Sequence, residues 1–332
     1  MHEATYQKRV ILCVFPGFEL LDLAGPTSVF TAANEITGRN FYKVSIASSK
    51  GGSVTAQGDV PIQTIPLEQV RPDQSDTLLV VGGLEDHIRR ACNDDFMISW
   101  WGQSYRRVER YGAICSGVLL LAMAGIIDDR TVTTHWLAAG EINKFSKDVT
   151  VLSDAVFFQD GCLWTSAGAA CGIHMALGMI QADLGRETKL EVAKLLTIHT
   201  VREVSDVQIS DFLSAQISSQ GRFDGLVNWI IRNLDKRLDV ATLAELAAMS
   251  ERTFARRFKA RFGDTPAKFV EQMRVQEGNR LLQSGLTLKQ VAVKVGYQSE
   301  EGFSIAFQRR FGVKPSCLVQ GNRDGVKLGK AA

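Results

Sequence analysis

A short pattern of aromatic, basic and glycine residues occurs twice in this chain, 49 residues apart. The first copy is Phe254, Phe258, Arg261-Phe262-Gly263 and Pro266, and the second is Phe303, Phe307, Arg310-Phe311-Gly312 and Pro315. A repeat with identical internal spacings indicates a duplicated structural unit. Each copy follows a short segment of apolar periodicity, so each predicts two helices joined by a turn. The sequence therefore predicts two helix-turn-helix units in tandem.

The predicted helices of these units have recognisable starting residues. Two pairs fit the capping box, in which the side chains bond reciprocally to free helix N–H groups: Thr242 with Glu245, and Thr287 with Gln290. Ser250 and Ser299 predict the start of the second helix of each unit, because a Ser oxygen accepts from first-turn N–H groups. Between the units, Thr265-Pro266 predicts the start of a long helix that reaches about Gln283. That helix would rise roughly 27 Å, which could set two recognition helices about one duplex turn, ~34 Å, apart on DNA.

The second helix of each unit is predicted to bury one face and to present the other to DNA. The pairs Phe254/Phe258 and Phe303/Phe307 are four residues apart, so each pair shares a buried face. The candidate DNA-contacting residues are Arg252, Thr253, Arg256 and Arg257 in the first unit, and Glu300, Glu301, Ser304, Arg309 and Arg310 in the second. Arg can pair bidentately with guanine and Glu can accept from cytosine N4. Because the second helix begins with acidic residues, Arg309 and Arg310 are its candidates for phosphate contacts.

The charge of the chain is divided unevenly along its length. Residues 221–332 contain 20 Lys/Arg and 11 Asp/Glu, a net charge of +9, whereas residues 1–220 contain 18 and 25, a net charge of −7. Lys and Arg neutralise phosphates and release counterions, which supplies most non-specific affinity for DNA. A solvated basic surface on an interaction domain would show the same charge. Together with the repeat, the charge favours double-stranded DNA as a partner.

Residues 222–322 resemble the DNA-binding domain of the AraC/XylS family of bacterial transcription regulators. The resemblance is carried by LAELAAMSERTFARRFKARFGDTPAKFV and by LKQVAVKVGYQSEEGFSIAFQRRFGVKPSCL. It implies an all-α domain with two helix-turn-helix units joined by a long helix. It also implies a transcription regulator that acts on RNA polymerase, most often as an activator.

Length and composition limit what the remainder can be. At 332 residues the chain predicts two domains. No apolar stretch of about 18 residues and no signal-peptide pattern occurs, so we expect a cytoplasmic protein without a membrane segment. The six cysteines lack CxxC pairs and zinc spacings, so we expect neither disulfides nor a metal, and no cofactor. The polar, Ser/Gln-rich residues 201–221 predict a linker between the domains.

The first domain, residues 8–200, alternates strand-like and helix-like segments. The predicted strands are Arg9–Phe15, Tyr42–Ser48, Thr77–Val81 and Ala113–Cys115, and the predicted helices are Leu20–Ile36, Asp95–Arg110, Ser116–Ala124 and Ala169–Leu184. Such alternation is typical of an α/β sandwich with a mainly parallel sheet. Ligands of such sheets bind beyond the carboxyl ends of the strands.

The clearest candidate site in this domain is Cys115. In YGAICSG a strand runs directly into a helix, which would hold the Cys115 side chain above the sheet and lower the pKa of its thiol. His135 follows another predicted strand, and Glu19 and Asp22 lie in the first strand-to-helix connection, so these groups could converge. Each also has a structural interpretation, since a lone Cys is often a small buried apolar residue and an acid at a helix start is often a cap.

Residues 8 to about 185 resemble the PfpI branch of the class I glutamine-amidotransferase-like superfamily, whose fold is a flavodoxin-like α/β sandwich. The matching segments are FPGFELLDLAGPTSVF, LLVVGG, YGAICSG and TVTTHW. By position, Cys115 matches the nucleophile, His135 the histidine found twenty residues later in many members, Glu19 and Asp22 the acidic residues, and Gly82-Gly83 the turn beside the pocket. Ser116 follows the nucleophile position. This domain joined to the C-terminal one resembles a subgroup of AraC-type regulators in which it acts as a sensor.

Two functions follow from different classes. The first is a homodimeric transcription regulator that binds a small effector, an amino-acid or amine metabolite, at Cys115, Ser116, Gly82, Gly83, His135 and Asp22. The second is a cysteine enzyme of the hydratase or deglycase kind, which would need His135 or a carboxylate as the base for Cys115. Redox sensing through Cys115 is a third possibility. We expect the first, with no enzymatic activity.

Overall fold

The computed structural model describes residues 7–73, 76–146, 148–204, 206–210, 213, 223–283 and 285–316. The chain divides into two units between Gln208 and Ile209. This boundary falls inside the predicted linker 201–221, but the described residues from 201 to 208 are hydrogen-bonded to the first unit. These residues are therefore grouped with the first unit. Residues 211, 212 and 214–222 lie outside the described residues.

The first unit is built on a mainly parallel sheet. Its described strands have the order β3-β4-β2-β1-β5-β6-β10-β9, in which only the edge strands β3 and β9 pair antiparallel. They are β1 (Lys8–Cys13), β2 (Tyr42–Ser48), β3 (Gly52–Thr55), β4 (Pro61–Pro66), β5 (Asp76–Val80), β6 (Arg110–Ile114), β9 (Phe157–Asp160) and β10 (Leu163–Ser166). A small parallel pair, β7 (Thr131–Val132) and β8 (Thr150–Val151), lies apart from it. The central order β2-β1-β5-β6-β10 is the flavodoxin-like one.

Helices connect these strands, as the right-handed parallel crossover requires. They are α1 (Leu20–Thr37), α2 (Glu85–Cys92), α3 (Asp95–Ser104), α4 (Val118–Met123), α5 (Ala139–Ile142) and α6 (Ala170–Leu195). Strands β5 and β6 are buried at every position, which is expected of strands with helices over both faces. The connections after β1, β5 and β6 leave the carboxyl edge of the sheet side by side, and this edge carries the candidate site.

Tertiary contacts changed several predicted boundaries. The predicted helix Asp95–Arg110 ends at Ser104, because Arg110 starts β6 and its buried guanidinium is ion-paired with Asp183. The predicted strand Ala113–Cys115 is Arg110–Ile114, so Cys115 itself lies outside it. The predicted helix Ala169–Leu184 continues to Leu195 through a kink at Gly185, whose φ is 86°. Helix α2 and strands β3 and β4 were not predicted at all.

The second unit is helical over its described residues. Its helices are α7 (Asp224–Arg232), α8 (Val240–Leu246), α9 (Glu251–Phe262), α10 (Pro266–Gln283), α11 (Leu288–Lys294) and α12 (Glu300–Phe311). Helices α8 and α9 form the first helix-turn-helix unit, and α11 and α12 form the second. Phe254 and Phe258 are buried in one core, and Phe303 and Phe307 are buried in another. The predicted duplication and the long connecting helix are both present.

The caps of these helices agree with the sequence except at one position. Ser250 and Ser299 cap α9 and α12, and Thr287 forms a full capping box with Gln290. The predicted box of Thr242 with Glu245 is wrong. Helix α8 begins earlier, because the carboxylate of Asp239 accepts from the backbone N–H of Thr242 at 2.9 Å and from its hydroxyl at 2.7 Å. A charged acceptor at the N-cap is also favoured by the helix dipole.

Candidate functional site

Cys115 occupies a strained turn at the carboxyl edge of the sheet. Strand β6 ends at Ile114, and residues 115–117 form a single 3-10 turn before α4. Cys115 has a φ of 58°, in the left-handed region that non-glycine residues rarely adopt. A strained residue of this kind persists only when its surroundings hold it in place, and such residues cluster at functional sites. The sharp strand-to-helix turn predicted at Cys115 is therefore confirmed.

Asp22 is the residue that ties the elements around Cys115 together. Its side chain is fully buried at the start of α1. One carboxylate oxygen accepts from the backbone N–H of Gly82 at 3.0 Å, and the other accepts from that of Ala169 at 2.6 Å. The Cys115 thiol is also within hydrogen-bonding reach of this carboxyl group. Asp22 thus connects the loop after β5, the start of α6 and the cysteine turn.

The glycines of this site are required by close approach. A Cβ atom on Gly82 would lie 2.7 Å from the Cβ atom of Cys115, and one on Gly168 would lie 2.6 Å from its sulfur. Gly168 also has a φ of 116°. Next to them, the Ser116 hydroxyl donates to the carbonyl of Gly83 at 2.8 Å and accepts from its N–H at 3.0 Å. The structure therefore brings Cys115, Ser116, Gly82, Gly83 and Asp22 into one cluster.

The predicted lowering of the thiol pKa is wrong. Burial raises the pKa of Cys115, and the negative charge of Asp22 raises it further, against smaller opposing hydrogen bonds from Ser116. Burial also raises the pKa of Asp22 to about 6, although the N–H groups of Gly82 and Ala169 oppose this shift. The favourable helix start is outweighed because desolvation penalises the thiolate more than one turn of N–H groups stabilises it. Cys115 is thus a protonated thiol at neutral pH.

Glu19 and His135 lie at the edge of this cluster. Glu19 is the N-cap of α1, where its side chain accepts from the N–H of Leu21 at 3.3 Å, and its charge contributes to the raised pKa values of Asp22 and Cys115. His135 is half-buried, which lowers its pKa, and its Nδ1 accepts from the N–H of Leu137 at 3.3 Å. In the part of the chain that the structure describes, no hydrogen bond joins His135 to Cys115. The expected convergence therefore includes both acids, whereas the recorded contacts of His135 are local.

A segment that sequence reasoning assigned to the linker connects to this site. The Gln208 side chain donates to the carbonyls of Thr134 at 2.8 Å and Ser153 at 2.9 Å, and it accepts from the N–H of Trp136 at 3.1 Å. Thr134 in turn donates its hydroxyl to the carbonyl of Cys115 at 2.7 Å. Two hydrogen bonds therefore lead from the cysteine turn to the last residue of the first unit. We call residues 201–204 and 206–208 the strap.

The strap has further attachments on α6. The backbone N–H of Arg202 donates to His174 Nδ1 at 3.2 Å, and its guanidinium contacts the sulfur of Cys171 at 3.5 Å. Burial lowers the pKa of His174 to about 3, so the ring is neutral and accepts this bond. Beyond the kink at Gly185, the buried Lys189 forms an ion pair with Glu203 at 2.6 Å. The strap is thus fixed by specific polar contacts with buried partners.

In the second unit, α9 presents a basic face to solvent. Phe254 and Phe258 face the core, while Arg252 and Arg256 are exposed on the opposite side together with Lys259. Arg257 is also exposed, whereas Thr253 is half-buried and its hydroxyl contacts the capping Ser250 at 3.0 Å. The predicted DNA-contacting Arg residues of this helix are therefore accessible.

Helix α12 presents a different surface. Glu300 and Glu301 are exposed at its start, and Ser304 is half-buried with its hydroxyl donating to the carbonyl of Glu300 at 2.8 Å. Arg309 is exposed but forms an ion pair with Glu271 of α10. Arg310 is exposed near the end of the helix. Sequence reasoning overlooked Ile305, whose side chain is 60% exposed between these polar residues.

Helix α10 holds the two helix-turn-helix units together. The first half of α10 contributes Phe269, Val270 and Met273 to the core of the first helix-turn-helix unit. The second half contributes Val275 and Leu282 to the core of the second helix-turn-helix unit. Each core is therefore completed by the same helix. Because an α-helix is stiff over this length, α9 and α12 are attached to one rod.

The described residues contain no group of three or more His, Cys, Asp or Glu residues placed to hold a metal ion. No helix among them is long and apolar enough to cross a membrane.

Comparison with known proteins gives matches to both units. Residues 8–182 match the DJ-1/PfpI family, and residues 243–320 match a helix-turn-helix domain family. The HTH-type transcriptional regulator CdhR of Pseudomonas aeruginosa is 26% identical over 305 residues, which cover 91% of this chain and 89% of that protein. GlxA of Rhizobium meliloti, also named an HTH-type transcriptional regulator, is 26% identical over 94% of this chain and 95% of its own length.

A solved structure supports the fold of the first unit. A ThiJ/PfpI family protein from Pseudomonas syringae aligns with 67% of this chain and 90% of its own, with a TM-score of 0.54 and 19% identity. At this identity the likeness concerns the fold alone. It agrees with the flavodoxin-like strand order.

The raised pKa of Asp22 gives the first unit a specific pH dependence. Between the ordinary carboxyl pKa near 4 and about 6, the folded state holds a proton that the unfolded state has released. We therefore expect the free energy of unfolding of wild type, relative to Asp22→Asn, to fall by about 2 kcal/mol as the pH rises from 4 to 6. Urea denaturation of the full chain at several pH values measures it. A difference that instead rises with pH would mean that the ionised carboxylate is the stabilised form.

The protonated state of Cys115 can be tested by alkylation, because the thiolate is the form that reacts. At pH 7.5 we expect iodoacetamide to label Cys115 more slowly than the exposed Cys162, as followed by mass spectrometry of the two peptides. Because slow labelling could reflect access alone, Asp22→Asn supplies the second arm. Removing the neighbouring charge should accelerate labelling of Cys115 by roughly tenfold for each unit by which its pKa falls, without affecting Cys162. Labelling of Cys115 ahead of Cys162 in wild type would contradict the raised pKa.

Proposed function

The chain belongs to the DJ-1/PfpI family, and because it also carries two helix-turn-helix units, we propose that it is a transcription regulator whose first unit senses a small molecule and whose second unit binds specific DNA. The observation that carries this proposal is the shared helix α10. Helix α10 completes both cores of the second unit and so attaches α9 and α12 to one rod. We call α9 and α12 the reading helices. A protein with two such helices can read two adjacent major-groove segments. The relatives named as HTH-type transcriptional regulators extend over both units.

The effector is proposed to bind at the Cys115 cluster. This cluster lies at the carboxyl edge of the sheet, where ligands of such folds bind. It combines a strained residue, a buried carboxyl group with a pKa of about 6 and a half-buried His135. A carboxyl group held in this range can respond to a cationic ligand by ionising, since a nearby positive charge lowers its pKa. This supports an amino-acid or amine metabolite as the effector.

Enzymatic use of Cys115 has less support. A protonated, buried thiol is a poor nucleophile, and the contacts recorded for His135 do not include Cys115. Asp22 is engaged by two backbone N–H groups, which hold it in a positioning role. The same raised pKa disfavours peroxide sensing at this residue, because the thiolate is the form that is oxidised.

The strap offers a route from the sensor to the DNA-binding unit. Gln208 is bonded to Thr134 and Trp136, and the next residue along the chain belongs to the second unit. An effector can change DNA binding only if it has different affinities for two states of the protein. Attachment and release of the strap would supply two such states. Ligand contacts at residues 134–136 would then favour one of them.

The remaining partners follow from the DNA-binding role. We propose a homodimer acting on repeated sites, since cyclic twofold assemblies are the commonest and would align two DNA-binding units. We further propose that the bound protein contacts RNA polymerase as an activator.

The DNA-binding function is tested by selecting duplexes from a random pool with the full chain. We expect an enriched motif of two segments about one helical turn apart. On that site, Arg256→Ala should weaken binding by about 1 to 3 kcal/mol and relax the preference at one base pair, because Arg256 is placed to contact guanine bidentately. Fluorescence anisotropy at several salt concentrations provides the measurement.

The matched control for this experiment is Arg90→Ala. Arg90 is an exposed Arg of the first unit, so its removal changes the net charge equally without touching the reading helices. We expect Arg90→Ala to leave the enriched site and its affinity unchanged. Failure to enrich any motif, or an affinity that does not fall with added salt, would overturn the proposed function.

The strap is tested by Gln208→Glu. This nearly isosteric change places a carboxylate against the carbonyls of Thr134 and Ser153, where no donor is left for them. We expect at least tenfold faster hydrogen exchange over residues 201–208, since losing two bonds of about 1 kcal/mol each destabilises the attachment to that degree. We also expect a changed affinity for the selected DNA without any effector.

Gln159→Glu is the control for the strap. Gln159 lies exposed on edge strand β9, and its side-chain amide donates to the turn carbonyl of Gly161 at 3.0 Å. It should alter neither exchange in the strap nor DNA affinity. Faster exchange in Gln208→Glu with unchanged DNA affinity would show that the strap is structural and carries no signal.

A further inference from the structure

The repeat assigns equivalent positions to the two reading helices. Phe254 and Phe258 of α9 correspond to Phe303 and Phe307 of α12 at an offset of 49 residues. The same offset places Ile305 at the position of Arg256. Both residues are exposed, and both lie on the side of their helix opposite to the buried Phe pair. The position that carries a guanidinium in the first helix-turn-helix unit thus carries a branched apolar side chain in the second helix-turn-helix unit.

The exposure of Ile305 is not explained by packing within the unit. The other apolar residues of the middle of α12, Phe303, Ala306 and Phe307, are all buried, whereas Ile305 is 60% exposed. A single exposed apolar residue is ordinary on a protein surface. Ile305 differs because it lies at the position that is occupied by the outward-facing Arg256 in the first helix-turn-helix unit.

The surroundings of Ile305 fit a base edge. Glu301 and Ser304 precede it, Gln308 follows one turn later, and these residues line one open pocket together with Leu288 and Pro315. Within this pocket, the α12 side chains that border Ile305 are therefore carboxylate, hydroxyl and amide groups, and they can bond base edges. Arg309, one turn after Ile305, is ion-paired with Glu271. The only Arg or Lys in the lining of that pocket is Lys314, beyond the end of the helix. The centre of this surface lacks the cation that would favour a phosphate or a guanine.

We propose that Ile305 is a specificity-determining residue of the second unit, and that it recognises the 5-methyl group of a thymine in the major groove. This inference rests on the proposed function. The thymine methyl is the one apolar group that base pairs present in the major groove, and apolar side chains are its partners. The two helix-turn-helix units would then recognise different bases from equivalent positions, guanine through Arg256 and thymine through Ile305.

The difference has a consequence for salt dependence. Contacts of Arg with DNA release counterions, whereas contact between Ile305 and a methyl group releases none. The contact between Ile305 and the methyl group therefore contributes discrimination between bases that persists as the salt concentration rises.

The test is a double-mutant cycle between protein and DNA. The full chain is bound to its selected duplex, and each thymine of the segment read by the second unit is replaced in turn by uracil, which removes only the methyl group. We expect one replacement to weaken binding about fourfold, the value for burial of one such group, and Ile305→Ala to weaken binding to the thymine duplex. The same uracil replacement should then have no further effect on Ile305→Ala.

A second variant and a control make the test decisive. Ile305→Arg should move the preference at that base pair from thymine to guanine and steepen the salt dependence, as expected of Arg256 at its equivalent position. Val293→Ala is the control, because Val293 is 67% exposed on α11 in the same unit. It should keep the full effect of the uracil replacement.

The outcomes separate this inference from the proposed function. If no duplex is selected at all, the proposed function fails. If a duplex is selected but Ile305→Ala binds it like wild type, or uracil replacement costs the same in both proteins, the inference alone is overturned and Ile305 belongs to a protein-docking surface instead.

Discussion

The buried carboxyl group of Asp22 is the interaction on which the first unit's site depends. It lies on α1, yet its two oxygens are bonded to N–H groups that follow β5 and precede α6. A single side chain therefore determines the spacing of three elements around the strained Cys115 turn. The same burial that makes these bonds strong raises the pKa of Asp22 to about 6. The group that organises the site is consequently also one whose pKa is displaced from its ordinary value.

The second unit is organised by a helix where the first is organised by a side chain. Arg274 of α10 donates to the carbonyls of Leu234 at 3.0 Å and Lys236 at 2.7 Å, which fixes the rod to the segment after α7. Phe269 and Leu282, at opposite ends of the rod, belong to different cores. Loss of either core would therefore release one reading helix, while the core that holds the other reading helix would remain packed. Separate cores also allow the outward faces of α9 and α12 to differ chemically.

The features that the sequence predicts well are those decided by local chemistry. The Thr287 capping box, the Ser250 and Ser299 caps and the rod starting at Pro266 all depend on residues a few positions apart. The cap of α8 was misplaced because Asp239 competes with Thr242 for the same helix start.

The pKa of Cys115 could not be obtained from the sequence, since it depends on burial and on Asp22, which lies 93 positions away. Gln208 was hidden for a similar reason, because a polar segment looks like a linker until its partners are known. Ile305 could have been found by applying the 49-residue offset to Arg256.

The kink at Gly185 divides α6 into two mechanical parts. The part before it is preceded by the N-cap residue Ala169, whose N–H donates to Asp22, and it carries His174, which accepts from the backbone N–H of Arg202. The part after it carries Lys189, which holds Glu203. Adjacent residues of the strap are therefore bonded to the two segments of α6 that the kink separates. A change in the kink angle at Gly185 would strain the hydrogen bond at Arg202 or the ion pair at Glu203, so the strap restrains the geometry of α6.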